Sequence, residues 1–423
     1  MIRLAAPLAV LAALSLACGP SQPPGPIGPS NCGAPPAADG GSVSALVSAN
    51  GQFAVDLFGQ LAAEADGGNV VASPFSVSAA FGMVYAGAAG TTADQIGQVF
   101  HFPAAADLAP AFGALDCQLE GDAAGPDGGQ LDIANRLFAQ KTLPLQPAFL
   151  SLLQDDYGAP LQTVDFESDP NGALQSIDGW VSQNTAGMIP QLLQPGDVDS
   201  STLLVLADAL YFHGLWEAPF DPATTSPGPF QVSAQQSVQV PMMGADVAGA
   251  SYYRGSGFAL LELPYQSHTA MDIVLPDAVD GLPQLEAQLT AQSLQSWLGQ
   301  LAIPPGGGAI AVQLPRFDLD VRTVLNQPLQ ALGLTAPFHG ADFSGIDGAH
   351  DLSISKVVHE AVLKVTEAGT EAAAATAVVM TGALPAPPST TFDANHPFLL
   401  LIRDLPTGEI LFVGQVTNPA AQG

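Results

Sequence analysis

Histidine and acidic residues at motif-like spacing are the first candidates for chemistry in this sequence. His359-Glu360 begins like the His-Glu-x-x-His zinc motif, but Leu363 stands where the second histidine would be. The sequence also lacks a Gly-x-Ser-x-Gly elbow, a Gly-x-x-x-x-Gly-Lys phosphate loop and a complete Gly-x-Gly-x-x-Gly. Because no motif orients a nucleophile beside a base, we expect a protein that is not an enzyme and uses no cofactor.

Acidic pairs and cysteines give no stronger signal for a metal. Lone acidic pairs in loops or strands are ordinarily solvated, which is our expectation for Asp197 with Asp199 and for Asp318 with Asp320. The cysteines are isolated and lack nearby paired histidines, unlike the ligands of a zinc cluster. We therefore expect no metal site.

The chain is strongly acidic. Lys and Arg number 9 against 39 Asp and Glu, which gives a formal net charge of -30 at pH 7. Proteins bind nucleic acids and heparin-like polyanions through basic side chains, and no run of this sequence clusters them. We expect neither as a partner and interpret the acidity as a solvated surface that resists aggregation.

The N-terminus has the layout of an export signal. One Arg precedes an apolar run from Leu4 to Leu16, and this run is too short and too early for a spanning helix. Residues 1–18 are therefore assigned as a signal peptide. We expect the protein in the extracellular space or, if it is a lipoprotein, at the outer membrane or cell surface.

The end of this signal is compatible with two alternatives, a lipidated protein and a plainly secreted one. Leu14 to Cys18 resembles a bacterial lipoprotein cleavage box, in which Cys18 would be acylated and anchor the chain to a membrane, but Ser15 departs from the usual Leu. If Cys18 is acylated, Cys32 and Cys117 remain and could pair in an oxidising compartment.

A linker separates the signal from one large domain. Residues 19–41 are dense in Pro, Gly, Ser and Ala, which favour extended, unpacked backbone. Residues 42–423 contain no comparable linker and no convincing repeat, so we assign them to a single domain, expected to be monomeric.

Apolar periodicity predicts helices early in this domain and strands later. Helical spacing covers residues 42–61, 76–89 and 173–185, and the Gly-rich segment 121–129 predicts a loop. Strands are predicted at residues 131–138, 203–212, 230–240, 258–263, 271–275, 309–314, 361–366 and 409–413. Helices and strands without strict alternation indicate an α+β domain.

Two stretches near the C-terminus resemble the signatures of the serpin family. His359 to Ala377 (HEAVLKVTEAGTEAAAATA) is similar to the family's hinge, and Asn395 to Gly414, beginning NHPFLLLIRD, is similar to its C-terminal signature. Further similar segments are Asn69–Phe102, Ile133–Phe138, Ala209–Phe220, Val240–Met243, Leu261–Tyr265 and Asp342–Ile346. The resemblance implies the serpin fold, with three β-sheets, about nine helices and an exposed reactive-centre loop above the largest sheet.

The resemblance also implies an inhibitor that is consumed by its target, a serine protease. The protease attacks the loop as a substrate, and the cut loop then enters the main sheet and carries the acylated protease with it. The result is a covalent acyl-enzyme complex. Such an inhibitor must fold to a metastable state whose sheet stays open to a further strand.

The hinge composition favours inhibition over the alternative, a non-inhibitory serpin with a carrier, chaperone or structural role. Residues entering a sheet alternate between its faces, and an ion at Thr370 would be buried without a partner. Glu371, on the alternate face, can stay solvated. The hinge comprises Glu367, Gly369, Thr370, Glu371, Ala372, Ala373, Ala374, Ala375 and Thr376. The inward face would receive Thr370, Ala372, Ala374, Thr376 and Val378, all small or β-branched.

The family's usual spacing from Gly369 puts the reactive bond between Ala383 and Leu384, give or take one residue. A small apolar residue before the cut suits an elastase-like or subtilisin-like protease. Cleavage after Leu384 would instead suit a chymotrypsin-like enzyme, and the loop offers no Arg or Lys to a trypsin-like one.

Five residues match positions that control opening of the main sheet in the family. Ser73, Ser76 and His359 match a polar cluster beneath the loop, and Trp216 matches an aromatic near the insertion point. Asp208 stands where the family has Asn. An Asp beside His359 would favour the imidazolium and make opening depend on pH, whereas the alternative is a satisfied core pair without a regulatory role.

Overall fold

The computed structural model describes residues 40–125, 129–158, 161–305, 308–349, 352–370 and 390–421. The α-helices in this part of the chain are α1 Gly40–Glu64, α2 Pro74–Tyr85, α3 Gly90–Val99, α4 Ala105–Ala123, α5 Pro147–Asp155, α6 Pro170–Asn184, α7 Leu282–Glu286, α8 Ala291–Leu298, α9 Asn326–Ala331 and α10 Ser344–Asp347. One 3₁₀ helix covers Ala336–Phe338.

The strands of the same part are β1 Val70–Ala72, β2 Gln130–Gln140, β3 Gln162–Val164, β4 Leu204–Leu215, β5 Ser226–Ser233, β6 Gln236–Val247, β7 Ser251–Arg254, β8 Phe258–Pro264, β9 Thr269–Pro276, β10 Ile310–Pro315, β11 Phe317–Val324, β12 Val357–Val365, β13 Gly369–Thr370, β14 Thr390–Asp393, β15 Phe398–Asp404 and β16 Ile410–Val416.

These strands form three sheets. The main sheet has the strand order β11-β12-β13-β4-β2-β3, a second six-stranded sheet has the order β1-β16-β15-β9-β8-β7, and a four-stranded sheet has the order β14-β10-β6-β5. The predicted α+β class and the three sheets are confirmed, and the described residues contain ten α-helices where about nine were expected.

Helix α2 joins the cores of two sheets and is buried on all sides. The Ser73 side chain caps its N-terminus by accepting a hydrogen bond from the Ser76 N–H, and Pro74 opens its first turn. Every residue from Pro74 to Val84 is buried. The helix packs on β2 and β4 of the main sheet and on β16 of the second sheet.

The main sheet is covered on both faces. Leu206, Leu210 and Leu363 belong to the large central core. Residues of opposite parity on the same strands, such as Ala207 and Val358, belong to a second cluster with α6. This alternation follows from the two-residue period of a strand.

Several predicted boundaries were wrong. The segment 230–240 is two strands, β5 and β6, because residues 234–235 form a turn. Helix α4 runs through Ala123 into the predicted loop, and α1 begins at Gly40, two residues before the predicted start of the first helix. Strand β11 was not predicted, although Phe317, Leu319 and Val321 alternate with three charged residues as a half-buried strand requires.

Candidate functional site

The main sheet is closed at one end and open at the other. Strands β4 and β12 pair directly, in parallel, from Leu206 to Asp208 and from Val357 to His359. Beyond that level Thr370 lies between them, antiparallel to both, opposite Gly214 and Val365. We call the space between β4 and β12 at the level of Thr370, toward the C-terminal ends of both strands, the upper opening.

A tight turn brings the hinge into the upper opening. The Thr366 N–H donates to the Gly369 carbonyl at 2.9 Å, and the Gly369 N–H donates back to the Thr366 carbonyl at 3.3 Å. A Cβ on Gly369 would lie 2.0 Å from the Gly214 carbonyl oxygen, a distance that no side chain tolerates. Glycine is therefore required where the chain enters the sheet.

Thr370 is held by Tyr265, whose ring stacks on Trp216. Its side chain is buried, and its hydroxyl lies 2.6 Å from that of Tyr265. Tyr265 stacks on Trp216 with ring centroids 4.5 Å apart and an interplanar angle of 8°. The Trp216 indole N–H donates to the Thr366 carbonyl at 3.0 Å and its backbone N–H to the Ala368 carbonyl at 2.9 Å. Trp216 thus fixes both sides of the hinge turn.

Glu367 anchors the base of the hinge outside the sheet. Its carbonyl accepts the Phe220 N–H at 2.9 Å, and its carboxylate accepts the Thr225 hydroxyl at 2.8 Å. The Arg316 guanidinium lies 3.6 Å from the other carboxylate oxygen. The hinge therefore starts from a fixed point.

A buried polar cluster lies where β4 and β12 close on each other. His359 Nε2 accepts the Ser73 N–H at 3.0 Å, and its Nδ1 lies 3.2 Å from Asp208 Oδ1. The same carboxylate oxygen accepts the Ser76 hydroxyl at 2.6 Å, and Asn135 Oδ1 lies 3.1 Å from that hydroxyl. We call these five residues the closure cluster.

The closure cluster fixes the tautomer of His359. A backbone N–H can only donate, so Nε2 faces Ser73 as an unprotonated acceptor and Nδ1–H is the donor to Asp208. A proton on Nε2 would therefore have to displace the Ser73 N–H. This arrangement differs from the imidazolium, which was one of the two alternatives expected for an Asp beside His359.

The predicted sheet-opening residues occupy two places. Ser73, Ser76, Asp208 and His359 come together in the closure cluster, while Trp216 lies at the upper opening, just beyond the far end of β4. The hinge residues 371–376, the Ala383–Leu384 bond and Cys18 lie outside the described residues.

Sequence reasoning did not select Asn135 or Tyr265. Both lie in segments that resemble the family, IANRLF and LELPY, and Asn135 is a polar residue within an apolar strand pattern. That contrast was the available signal for Asn135. Nothing in its local pattern marked Tyr265, whose partners are distant in sequence.

Two of the four acidic residues expected to be solvated are ion-paired: Asp318 pairs with Lys364 at 3.3 Å while half-exposed, and Asp197 is mostly shielded from solvent. Asp197 accepts from Arg322 and, at 2.7 Å, from Lys356, and its side chain is 11% exposed. Asp199 and Asp320 are exposed as predicted. Within the described residues, no group of three or more His, Cys, Asp or Glu could hold a metal, and no helix is long and apolar enough to cross a membrane.

A family model described as "Serpin (serine protease inhibitor)" matches residues 48–419. The chain belongs to the serpin family. It is 39% identical over 382 residues to leukocyte elastase inhibitor A of Rattus norvegicus, which covers 88% of this chain and 99% of the relative. It is 40% identical over 381 residues to leukocyte elastase inhibitor of Bos taurus, with the same shares covered.

Solved serpins share the fold. Uncleaved ovalbumin matches with a TM-score of 0.78 and 31% identity over 89% of this chain and all of that one. Human thyroxine-binding globulin in complex with thyroxine matches with a TM-score of 0.78 and 28% identity over 90% of this chain and all of that one. This serpin's main sheet already holds the first residues of a further strand at its upper opening.

Proposed function

We propose that this serpin inhibits serine proteases by letting its cleaved reactive-centre loop enter the main sheet and trapping the acylated protease. The observation that carries this proposal is the position of Gly369 and Thr370 between β4 and β12. A strand that continued from Thr370 would gain backbone hydrogen bonds to both neighbours, since the register of β4 and β12 is the same at the upper opening and at the closure cluster.

The common register also defines what full insertion must break. Six residues beyond Thr370 the new strand would reach the level of Asp208 and His359, where β4 and β12 now pair. The closure cluster therefore has to separate before insertion is complete. This supports a metastable native state that is held by local contacts until the loop is cut.

The proposed targets are elastase-like or subtilisin-like proteases. The two relatives described above carry the name leukocyte elastase inhibitor. Ala383 before the proposed cleavage point is small and apolar, as a shallow primary pocket requires. A cut after Leu384 would shift the preference toward a chymotrypsin-like enzyme.

Export of the protein is also proposed, with residues 1–18 as its signal peptide. Cys117 is disulfide-bonded, which supports an oxidising compartment. If Cys18 carries the lipid of a bacterial lipoprotein, Cys32 is the cysteine left to pair with Cys117. Mass spectrometry of the mature N-terminus, with Cys18→Ser as control, tests lipidation, and peptide mapping without reductant tests the pairing.

The non-inhibitory alternative would need a carrier cavity or another binding surface. An apolar cavity between α1, α8 and the second six-stranded sheet has about 10 Å³, enough for one water. A polar groove of about 340 Å³ lies on the four-stranded sheet beside Gly244 and Asp393, near the lower limit of small-molecule sites. Neither favours a carrier over an inhibitor.

The test mixes the full-length protein with pancreatic elastase, subtilisin, chymotrypsin and trypsin, followed by denaturing gels and mass spectrometry. We expect a denaturation-resistant complex with elastase or subtilisin and a released peptide that begins at Leu384. Trypsin serves as the control, because residues 371–389 contain no Arg or Lys. Loop cleavage by elastase, subtilisin or chymotrypsin, without a complex for any of them, would establish a non-inhibitory serpin.

A further inference from the structure

The segment that follows α6, residues 185–203, crosses the main sheet on the face opposite α2. Helix α6 packs on β2 and β4, on one side of the junction between β4 and β12. Asp197, within this segment, reaches Arg322 of β11 and Lys356 at the start of β12, on the other side. We call residues 170–203, the helix and the segment together, the strap.

One end of the strap is fixed to β2 and β4 by apolar and aromatic packing. Ile177 of α6 is fully buried in a cluster with Ala207 of β4. Trp180 meets Phe138 of β2 edge-on at 5.6 Å between ring centroids, and the Arg136 guanidinium lies 4.7 Å from the Trp180 ring centroid. Helix α6 therefore moves with this side of the sheet.

The other end is fixed to β11 and β12 by charge. Lys356 Nζ lies 2.7 Å from one Asp197 carboxylate oxygen, and Arg322 donates to the other. Arg322 Nε also donates to the Leu192 carbonyl at 2.8 Å. The Leu193 N–H in turn donates to Asp178 of α6 at 2.9 Å, which ties the segment back to the helix.

Asp197 is a carboxylate at neutral pH. Burial raises its pKa, but the hydrogen bond from Lys356, that from the Gln194 N–H and the charge of Arg322 outweigh this and hold the pKa below the ordinary aspartate value. The ion pairs therefore persist across neutral pH. They are also partly shielded from solvent, with the Asp197 side chain 11% exposed.

Insertion separates the two sides that the strap connects. The new strand must pass between β4 and β12, so β11 and β12 have to move away from β4 and β2 by about one strand spacing, ~4.8 Å. From the contacts of Asp197 we infer that its ion pairs with Arg322 and Lys356 restrain opening of the main sheet, and so set the rate of loop insertion and the lifetime of the uncleaved state.

This inference rests on the proposed insertion mechanism, and its test does not use a protease. The full-length protein is incubated with a synthetic peptide of residues 370–382. Uptake of the peptide makes the protein more resistant to unfolding, and this gain is followed over time on urea gels. The variants are Asp197→Asn and Lys356→Gln. The matched control is Asp318→Asn, because Asp318 pairs with Lys364 at 3.3 Å across β11 and β12, on one side of the junction.

We expect Asp197→Asn to take up the peptide about tenfold faster than the unaltered protein, a rate factor that corresponds to ~1.4 kcal/mol. Lys356→Gln should accelerate uptake by a smaller factor because Arg322 still holds Asp197, and Asp318→Asn should leave the rate unchanged. If Asp197→Asn does not fold, Lys356→Gln against the same control decides the question.

Uptake at equal rates in all four proteins would overturn the inference and leave the insertion mechanism intact. Equal acceleration of peptide uptake by Asp318→Asn would overturn it as well. The effect would then follow from the loss of any negative charge and not from the ion pairs that link the strap to β11 and β12. Absence of uptake by the unaltered protein would overturn the proposed function together with the inference.

Discussion

Replacing Thr370 by arginine puts a charge on the first hinge residue that enters the main sheet. Thr370 is 1% exposed, and its hydroxyl contacts Tyr265 between β4 and β12. In the uncleaved protein we expect the introduced arginine to swing out of the upper opening, where water solvates the guanidinium. The cost then falls on insertion after cleavage, when the same residue has to enter the sheet.

The magnitude follows from burying an unpaired ion. After relaxation and water penetration this costs several kcal/mol, and we take ~3 kcal/mol for a long side chain that retains part of its hydration. Each ~1.4 kcal/mol changes a rate tenfold, so insertion should slow about 100-fold. Deacylation of the protease proceeds unchanged, and hydrolysis of the acyl bond then precedes trapping.

The assay measures the moles of serpin needed to inactivate one mole of elastase, and denaturing gels show whether the serpin is cleaved or in a complex. We expect Thr370→Arg to appear mostly as cleaved serpin with active protease. Thr370→Val is the matched control, because it keeps the branched shape and loses only the hydroxyl contact to Tyr265. This variant should still trap the protease.

Complex formation by Thr370→Arg at the stoichiometry of the unaltered protein would refute the reasoning, since the charged residue would then enter the sheet without penalty. A loss of trapping in Thr370→Val equal to that in Thr370→Arg would also refute it. In that case the hydroxyl contact with Tyr265, and not the absence of charge, would be the property on which insertion depends.

Four further substitutions test other residues of the main sheet and the hinge. Asp208→Asn should loosen the closure cluster and speed inhibition at a fixed pH, because an amide oxygen accepts the hydrogen bonds of Ser76 and His359 more weakly than a carboxylate; an unchanged rate would show that this oxygen does not hold the sheet closed. Burial raises the pKa of Glu360 from 4.5 to about 7, so the folded state holds a proton that the unfolded state releases, and stability falls as pH rises across that window. Glu360→Gln should therefore be more stable at pH 8 in urea by about 2 kcal/mol and unchanged near pH 4, and a constant difference at both would contradict this. Glu367→Gln should lower the melting temperature by about 1–2 °C, as should Arg316→Gln, with no further loss in the double variant, since the pair at 3.6 Å is partly exposed; additive losses would show that the two do not interact.

Much of the fold could be predicted from local pattern. The helical spacing of residues 42–61 reflects one buried stripe, and α1 buries Leu46, Phe53, Leu57 and Leu61 on it. The predicted strand 258–263 agrees with β8 to within one residue because nearly all of it is buried. Strand β11 was missed although its apolar residues alternate with charged ones, which is the pattern of a strand with one solvated face.

The candidate site was predictable at the positions to which the family resemblance assigns a role, namely the hinge and the cluster of Ser73, Ser76, Asp208 and His359. The hinge motif identified Gly369 and Thr370. Position 369 requires glycine because the Gly214 carbonyl oxygen lies too close for a Cβ. Asn135 and Tyr265 escaped selection, since each acts through partners in other segments.

The sequence by itself determined the properties that depend on residue type alone: the acidic surface, the absence of basic clusters, the family and the uncharged inward-facing residues of the hinge. Tertiary structure decided which atoms meet. His359 accepts from Ser73, 286 residues away, and Asp197 bonds to Lys356 across 159 residues. Such pairings follow from the register of β4 against β12 and from the path of the strap, because hydrogen bonds and ion pairs depend on distances that the order of residues does not contain.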